Sequence, residues 1–575
     1  MKKSKLAGRV IAAAVILAFI GTMINGMPTL VGKVEASPVT IYVPDDYSTI
    51  QAAVDACSSG DTIIVRHGTY TENVVVDKSI TLSGEGTPTI DGGNTDFGIR
   101  LLPTANNCTI EGFILTGNGE RGCWIDMYSD YNTIQNNVCS GGIGLSLTAN
   151  GHGAGSMQSL IIGNEFGRGV FLFGEGEEGA EPPVELFSSH TIENNTINGK
   201  PIYYYSNTEG ITVPQDAGQV LAANCSNIVV EGMECPGATV GIELAYVTDS
   251  IISENNCLNC DGAGVALFFS SNNTLISNEV ESSVNGIYLM FSDNNILEGN
   301  VVTGGTVEDN QCGGICLFAA NTGNVIMDNT SSDNKGCGVC IRWMGNSNNV
   351  VVANTIRNNE WGIYLGCQDT NTIYLNDFVD NASNVYCYYN STNIWHSPEE
   401  ITYTYDGDTY TSFLGNYWDD YAGSDADGDG IGETPYPIDS DADNHPLVEP
   451  SENYVIGEGP SPFCFIATAA YGTPMAGEVQ TLRDFRDEYL ITTPLGHAFV
   501  NLYYKLSPPI AEFITDHPSL KPVVRDGLLP AVVVSTLVVN STPAEKAVAL
   551  VVLLLVSVAV AIWAIRRRGR DPEYN

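Results

Sequence analysis

The sequence predicts an all-β chain, a right-handed parallel β-helix solenoid, followed by a small helical region and one transmembrane helix. Three observations predict it. A glycine-led motif returns at intervals of 22 to 28 residues, an asparagine follows each copy fourteen to sixteen residues later, and apolar runs lie at both ends of the chain.

The motif reads Gly241-Ile-Glu-Leu, Gly264-Val-Ala-Leu, Gly286-Ile-Tyr-Leu, Gly314-Ile-Cys-Leu, Gly338-Val-Cys-Ile and Gly362-Ile-Tyr-Leu. A period in the low twenties marks a solenoid, and two aliphatics flanking a variable residue mark a strand of period two. The asparagines are Asn255, Asn278, Asn300, Asn329, Asn354 and Asn376. Asparagine tolerates left-handed backbone and bonds locally, so it suits the corner between strands, and stacked corners can form an amide ladder. Leucine-rich repeats would carry a longer leucine pattern, and propeller blades repeat at roughly 40 residues or more. Weaker copies upstream, as at Asn132-Thr133-Ile134, extend the helix over 37–400. The segment from Ser48 to Ala56 reads as a short amphipathic helix capping the open lower end.

The two ends give the topology. Lys2, Lys3, Lys5 and Arg9 precede an apolar stretch from Val10 to Ile20, and Val34-Glu35-Ala36 offers a cleavage site, so 1–36 reads as a signal peptide. Ala547 to Ile565 is long enough to cross a bilayer core of ~30 Å. It opens on Thr542-Pro543-Ala544-Glu545, and Arg566, Arg567, Arg568 and Arg570 follow it. That pattern predicts a transmembrane helix over 543–566 and a cytoplasmic tail over 567–575. The intervening chain then faces the extracytoplasmic cell surface. The net charge of −43, with only 24 basic residues, excludes nucleic acid as a partner and attracts cations.

Several segments resemble known families. Thr49-Ile50-Gln51-Ala52-Ala53-Val54, Gly60-Asp61-Thr62-Ile63-Ile64-Val65 and Gly68-Thr69-Tyr70 resemble the opening of pectin-lyase-like β-helices. Gly199-Lys200-Pro201-Ile202-Tyr203-Tyr204, Asp216-Ala217-Gly218-Gln219-Val220 and Asn224-Cys225-Ser226-Asn227-Ile228 are similar to the NosD-type branch, as is the closing segment 401–450. There Leu414-Gly415-Asn416-Tyr417-Trp418-Asp419-Asp420-Tyr421 carries the likeness. The resemblance implies a protein of the carbohydrate-binding and sugar-hydrolase grouping, or a copper-related accessory protein. After a linker at 451–463, Cys464-Phe465-Ile466-Ala467-Thr468 resembles a CFI-box, which implies a sorting role for Cys464 in the helical region 464–542. Val479, Leu482, Phe485 and Leu490 fall at helical spacing there, as in helices at a bilayer or in a small helical spacer.

Candidate sites follow. Asp425, Asp427 and Asp429 before Gly430 have the alternating carboxylates of a calcium loop, which the carbonyl of Ile431 and the carboxylate of Glu433 would extend. The twelfth position is Tyr436, so it is no EF-hand. Asp419, Asp420, Asp439, Asp441 or Asp443 would supply further oxygens. Tyr288, Tyr364, Phe268 and Phe318 fall at outward positions of the repeat, where aromatic rings can stack on sugar.

Asn94-Thr95-Asp96 and Gly151-His152-Gly153 echo polygalacturonase motifs. The adjacent Asp pair and the Arg-Ile-Lys triplet of those enzymes do not accompany them, and nothing pairs Asp126 with Asp130. Copper prefers His, Cys and Met arrays, whereas the seven histidines read as isolated, which argues against a copper chaperone. Cys316 and Cys340 hold equivalent repeat positions and should be lateral neighbours. A disulfide, a thiolate cluster with Cys312 and Cys337, and packed reduced thiols all remain open. The expected function is a cell-surface β-helix that binds glycan or cell-envelope proteins without catalysis. The alternatives are a polysaccharide hydrolase or lyase, and a structural stalk. Calcium is the expected cofactor.

Overall fold

The computed structural model describes residues 37–456 apart from short stretches at 94–96, 118–123, 141–143, 148–155, 173–180, 308–311, 344, 367–369, 388–392 and 439–440. Beyond these it describes the helix Lys521–Val539 and a few single residues before it. The signal peptide, Cys464, the span 543–566, Asn94 to Asp96 and His152 lie outside the described residues. Among the described residues no helix is long and apolar enough to cross a membrane.

Each coil of the central region contributes three strands. Ala263–Phe268, Thr274–Ile276 and Glu279–Glu281 make one coil, and Asn285–Met290, Ile296–Glu298 and Val301–Thr303 make the next. Equivalent strands pair in parallel, for example Val265 with Ile287 and Leu275 with Leu297. One face runs the length of the solenoid as a sheet of 15 strands. Inward aliphatics such as Val265, Leu267, Ile287, Leu289, Ile315 and Leu317 fill one continuous apolar bore. Parallel stacking pairs nearly every backbone group while burying these ladders, which is why a strand of only three residues suffices.

The repeat glycine serves packing. A Cβ on Gly264 would stand 2.3 Å from Val280 Cγ1, and one on Gly286 would stand 2.0 Å from Val302 Cγ1. The strand bends here against the sheet across the bore, leaving no room for a side chain.

The asparagine ladder forms, but its backbone differs from the expectation. Asn255, Asn278, Asn300, Asn329, Asn354 and Asn376 point into the bore and are at most 2% exposed. Each side-chain amide donates to the next asparagine's Oδ1, at 2.8 to 2.9 Å, ending on Asn416. The left-handed residue is the preceding one: Glu254, Ser277, Gly299, Asp328, Ala353 and Leu375 all have φ near +55 to +62°. The corner needs its inward group to bond both neighbouring coils, and the strained backbone falls on the outward residue.

The lower end is closed as expected by the helix Ile50–Ala56, which buries Ile50, Ala53 and Val54. Thr49 Oγ1 accepts Ala52 N–H, and Glu72 accepts the Ile50 and Gln51 amides. At Asn198 and Gly199, both with positive φ, the chain turns back, and Thr196–Ile197 pairs antiparallel with Lys200–Pro201. Two successive left-handed residues form the hairpin turn that Asn-Gly favours. At the upper end Tyr417–Trp418 completes the helix wall, and the hairpin Ile401–Tyr405 with Asp408–Ser412 covers a second apolar cluster. Residues 451–456 are not linker. Ser451–Asn453 forms a 3-10 turn, and Val455–Ile456 pairs with Tyr403 and Thr404. In the helical region Ala467, Val479, Leu482 and Leu528 pack together.

Candidate functional site

The aromatic residues of the repeat form the most extended surface feature, one residue away from the positions the repeat suggested. Phe268 and Tyr364 are each 4% exposed, so neither can receive a ligand ring. Phe268 packs against Tyr288 at 6.1 Å between ring centroids, and Tyr364 stacks on Tyr386 at 5.1 Å. Tyr288 and Phe318 are partly buried and stack on each other at 5.7 Å. Strand alternation alone cannot reveal cover from neighbouring segments.

Four more rings sit at the corner itself, in left-handed conformation: Tyr246 and Phe269, both partly buried, and Phe291 and Trp343, both exposed. Tyr246 stacks on Phe269 at 5.0 Å and 9°, and Phe269 on Phe291 at 4.9 Å and 7°. These spacings equal one coil rise, so the rings form a ladder along the solenoid. In the next coil the position over Phe291 is Ala320, set by the register shift after Leu289. A methyl cannot cover a ring, and Phe291 is 39% exposed. Trp343, 58% exposed, follows and packs on Phe318 at 5.7 Å. The Arg342 guanidinium lies 5.6 Å from the Phe318 ring centroid. The corner thus presents the open ring of Phe291, the gap at Ala320 and the exposed ring of Trp343, with the Arg342 cation over the neighbouring Phe318. An aromatic at the left-handed corner position, one step beyond the expected ladder, was the signal in the sequence.

The carboxylate loop brings three of its five expected members together. Ligand oxygens of Asp425, Asp427 and Glu433 lie within 4.8 Å of one another. Asp425 accepts the amides of Gly428, Asp429 and Gly430, so it sets the turn. Asp429 accepts the Ile431 amide, and burial, with Asp427 and Asp425 adding, raises its carboxyl pKa. Of the suggested extra donors, Asp439 lies outside the described residues, and the other four are engaged elsewhere. Asp419 and Asp420 both accept Asn384 Nδ2, at 2.9 and 3.0 Å, and Asp441 accepts Trp395 Nε1. Asp443 ends the asparagine ladder. It accepts Asn416 N–H and the Trp418 indole, and burial pushes its carboxyl up to about 6.

Asp126 and Asp130 are each engaged with another group. Asp126 is 3% exposed and paired with Arg100 at 2.8 Å, while Asp130 accepts the Met157 amide. Two histidines are not isolated: the rings of His396 and His445 lie 5.2 Å apart beside Phe413. Among the described residues only two groups bring three metal-ligand atoms within 4.8 Å, and neither contains a histidine. The second is Cys312, Cys316 and Cys340. Cys316 registers with Cys340 as expected, but the recorded disulfide joins Cys316 to Cys312.

Residues 189–423 match the family described as periplasmic copper-binding protein (NosD). A cell surface glycoprotein of Methanothermus fervidus is 38% identical over 101 residues, 16% of this chain and 17% of that relative's length. Among solved structures, the periplasmic alginate epimerase AlgG is 14% identical with a TM-score of 0.27, over 62% of this chain and 83% of its own. A PL6 alginate lyase complexed with a trisaccharide is 13% identical with a TM-score of 0.26, over 65% and 91%. Likeness at that level carries no argument about activity. The matched segment begins just before the Asn198-Gly199 hairpin and runs through Tyr417–Trp418. The solenoid at the centre of this chain is a parallel β-helix, and its residues 189–423 are similar to the NosD family.

Proposed function

We propose that this chain is an extracytoplasmic, surface-anchored β-helix that binds glycan without cleaving it. The observation that carries the reading is the aromatic ladder of Tyr246, Phe269 and Phe291, left open at Ala320 and resumed by Trp343. A pyranose ring presents an apolar face to such rings, and burying apolar surface contributes about 25 cal/mol per Å². The surface location is supported by the family description and by the name of the cell surface relative. Anchoring by the span 543–566 and sorting through Cys464 remain part of the proposal. Calcium at Asp425, Asp427 and Glu433 would hold the closing segment in place, since a divalent cation offsets carboxylates that otherwise repel one another.

A glycan array probed with the full chain tests the reading. Phe291→Ala and Trp343→Ala should each weaken the bound glycan by about tenfold, which corresponds to ~1.4 kcal/mol. Unchanged binding in both would exclude this corner. The same glycans should show no new reducing ends. Turnover that disappears with Asp126→Asn would establish a hydrolase instead.

A further inference from the structure

The cysteine group is separate from the carboxylate loop and adjoins the aromatic corner through Phe318. Cys312, Cys316, Cys337 and Cys340 are each at most 1% exposed and form a cluster of their own with Tyr364. Tyr288, Phe318 and Trp361 pack around it. The cluster lies outside the bore, which the intervening Ile315, Leu317, Val339 and Ile341 fill.

Residues three apart on a regular strand face opposite ways, yet Cys337 and Cys340 belong to one outer cluster. Both Gly338 and Val339 turn inward between them. A Cβ on Gly338 would meet Ile356, and Val339 lies in the bore. The preceding coil aligns Cys316 with Cys340 and Gly313 with Cys337. Cys312 arrives from the segment that lengthens this coil, whose interval from Gly286 to Gly314 is 28 residues.

We propose that Cys312, Cys316 and Cys340, whose sulfurs lie within 4.8 Å of one another, form with the adjacent Cys337 a thiolate site for one soft d10 cation, Zn²⁺ or Cu⁺, tying the longer segment to two adjacent coils. Thiolates select such ions, and four of them suit tetrahedral coordination. The aromatic shell keeps water from competing, and Arg342, over Phe318, stands at the edge to offset the residual negative charge.

The structure holds Cys312 and Cys316 as a disulfide, so the loaded state is the reduced one. A phosphine or dithiol reductant supplies two electrons, the sulfur–sulfur bond opens, and two protons from water complete two thiols. The four thiols then release their protons as metal–sulfur bonds form. A thiol oxidant removes two electrons, re-forms the disulfide and expels the ion.

The test titrates the phosphine-reduced full chain anaerobically with Co²⁺ as the optical probe. A separate arm adds Cu⁺ against a chromophoric chelator. One equivalent of Co²⁺ should give sulfur-to-metal charge-transfer absorption and the visible bands of a tetrahedral ion, both abolished by Zn²⁺. Cys337→Ser and Cys340→Ser should weaken binding by at least about tenfold. Cys260→Ser, at a bore position, should titrate as wild type. Displacement of Zn²⁺ by Cu⁺ would assign the site to copper, and its failure to zinc, both within the proposal. Absence of the charge-transfer band in the reduced wild type overturns it, whatever the variants do. Identical titrations of wild type and both serine variants would place the ion elsewhere and overturn it equally.

Discussion

Asn300 shows how much of this fold rests on single side chains. Its Nδ2 donates to the Leu275 carbonyl and to Asn329 Oδ1, both at 2.9 Å. Its Oδ1 accepts both the backbone and the side-chain N–H of Asn278. Replacing it with leucine strands polar groups in the bore, each costing about 1–3 kcal/mol. Asn300→Leu should therefore lose at least ~3 kcal/mol in denaturant unfolding. A loss within the error of the wild type would show that the ladder contributes nothing. Glu243 carries the opposite message. It is fully buried, Oε2 accepts the Leu172 amide, and Oε1 has no partner among the described residues. Burial pushes its carboxyl up to about 8. Its folded-state pKa thus stands above the unfolded one. Its stabilising contribution is complete below the ordinary carboxylate range and is lost as pH rises through about 8. Glu243→Gln should gain on the wild type steadily across that window and hold the gain above it. A flat difference in denaturation free energy would mean that Glu243 titrates like an exposed carboxylate.

The strands and turns sort the expectations by the kind of information each needed. Inward aliphatics follow from period two and were legible throughout. The exposed corner was not, because a left-handed residue after the strand breaks the alternation. The rings at Phe269 and Phe291 therefore stand where a period-two reading stops. The closing loop is an element whose shape is local: Asp425 organises Gly428 to Gly430 through its own backbone bonds. A calcium ion binding only the folded loop would stabilise it by RT ln(1 + [L]/Kd), about 2.7 kcal/mol at one hundred times Kd. Thermal melting should rise with calcium over chelator in the wild type and rise far less in Asp427→Ala. Equal shifts in both proteins would locate any calcium elsewhere.

Across the whole molecule each coil contacts its neighbours, so the rod is close to one-dimensional and its ends need closure. The helix Ile50–Ala56 closes one end, and the hairpin with Val455–Ile456 closes the other. The net charge of −43 on the whole chain keeps it from anionic polymers and favours cations near its carboxylates. The topology proposed from the two apolar ends places the chain from 37 up to the span at 543–566 outside the membrane. Protease added to intact cells should then remove nearly all of the chain. Complete protection would reverse the orientation.

Recurrence settled the architecture without coordinates: a glycine where the strand must bend, an asparagine where the corner must bond both neighbours. Each is a local requirement repeated coil after coil, so one sequence suffices to read it. Tertiary structure alone decided which outward residues stay uncovered. Phe268 and Tyr364 look as available as Phe291 and Trp343 until neighbouring segments are laid over them. It alone showed that Asp419 and Asp420 turn to Asn384, away from the calcium loop, and that His396 meets His445. It also gathered Cys312, Cys316, Cys337 and Cys340 into one dry cluster. Cover and convergence depend on the distance between segments far apart in the chain, which no local period encodes.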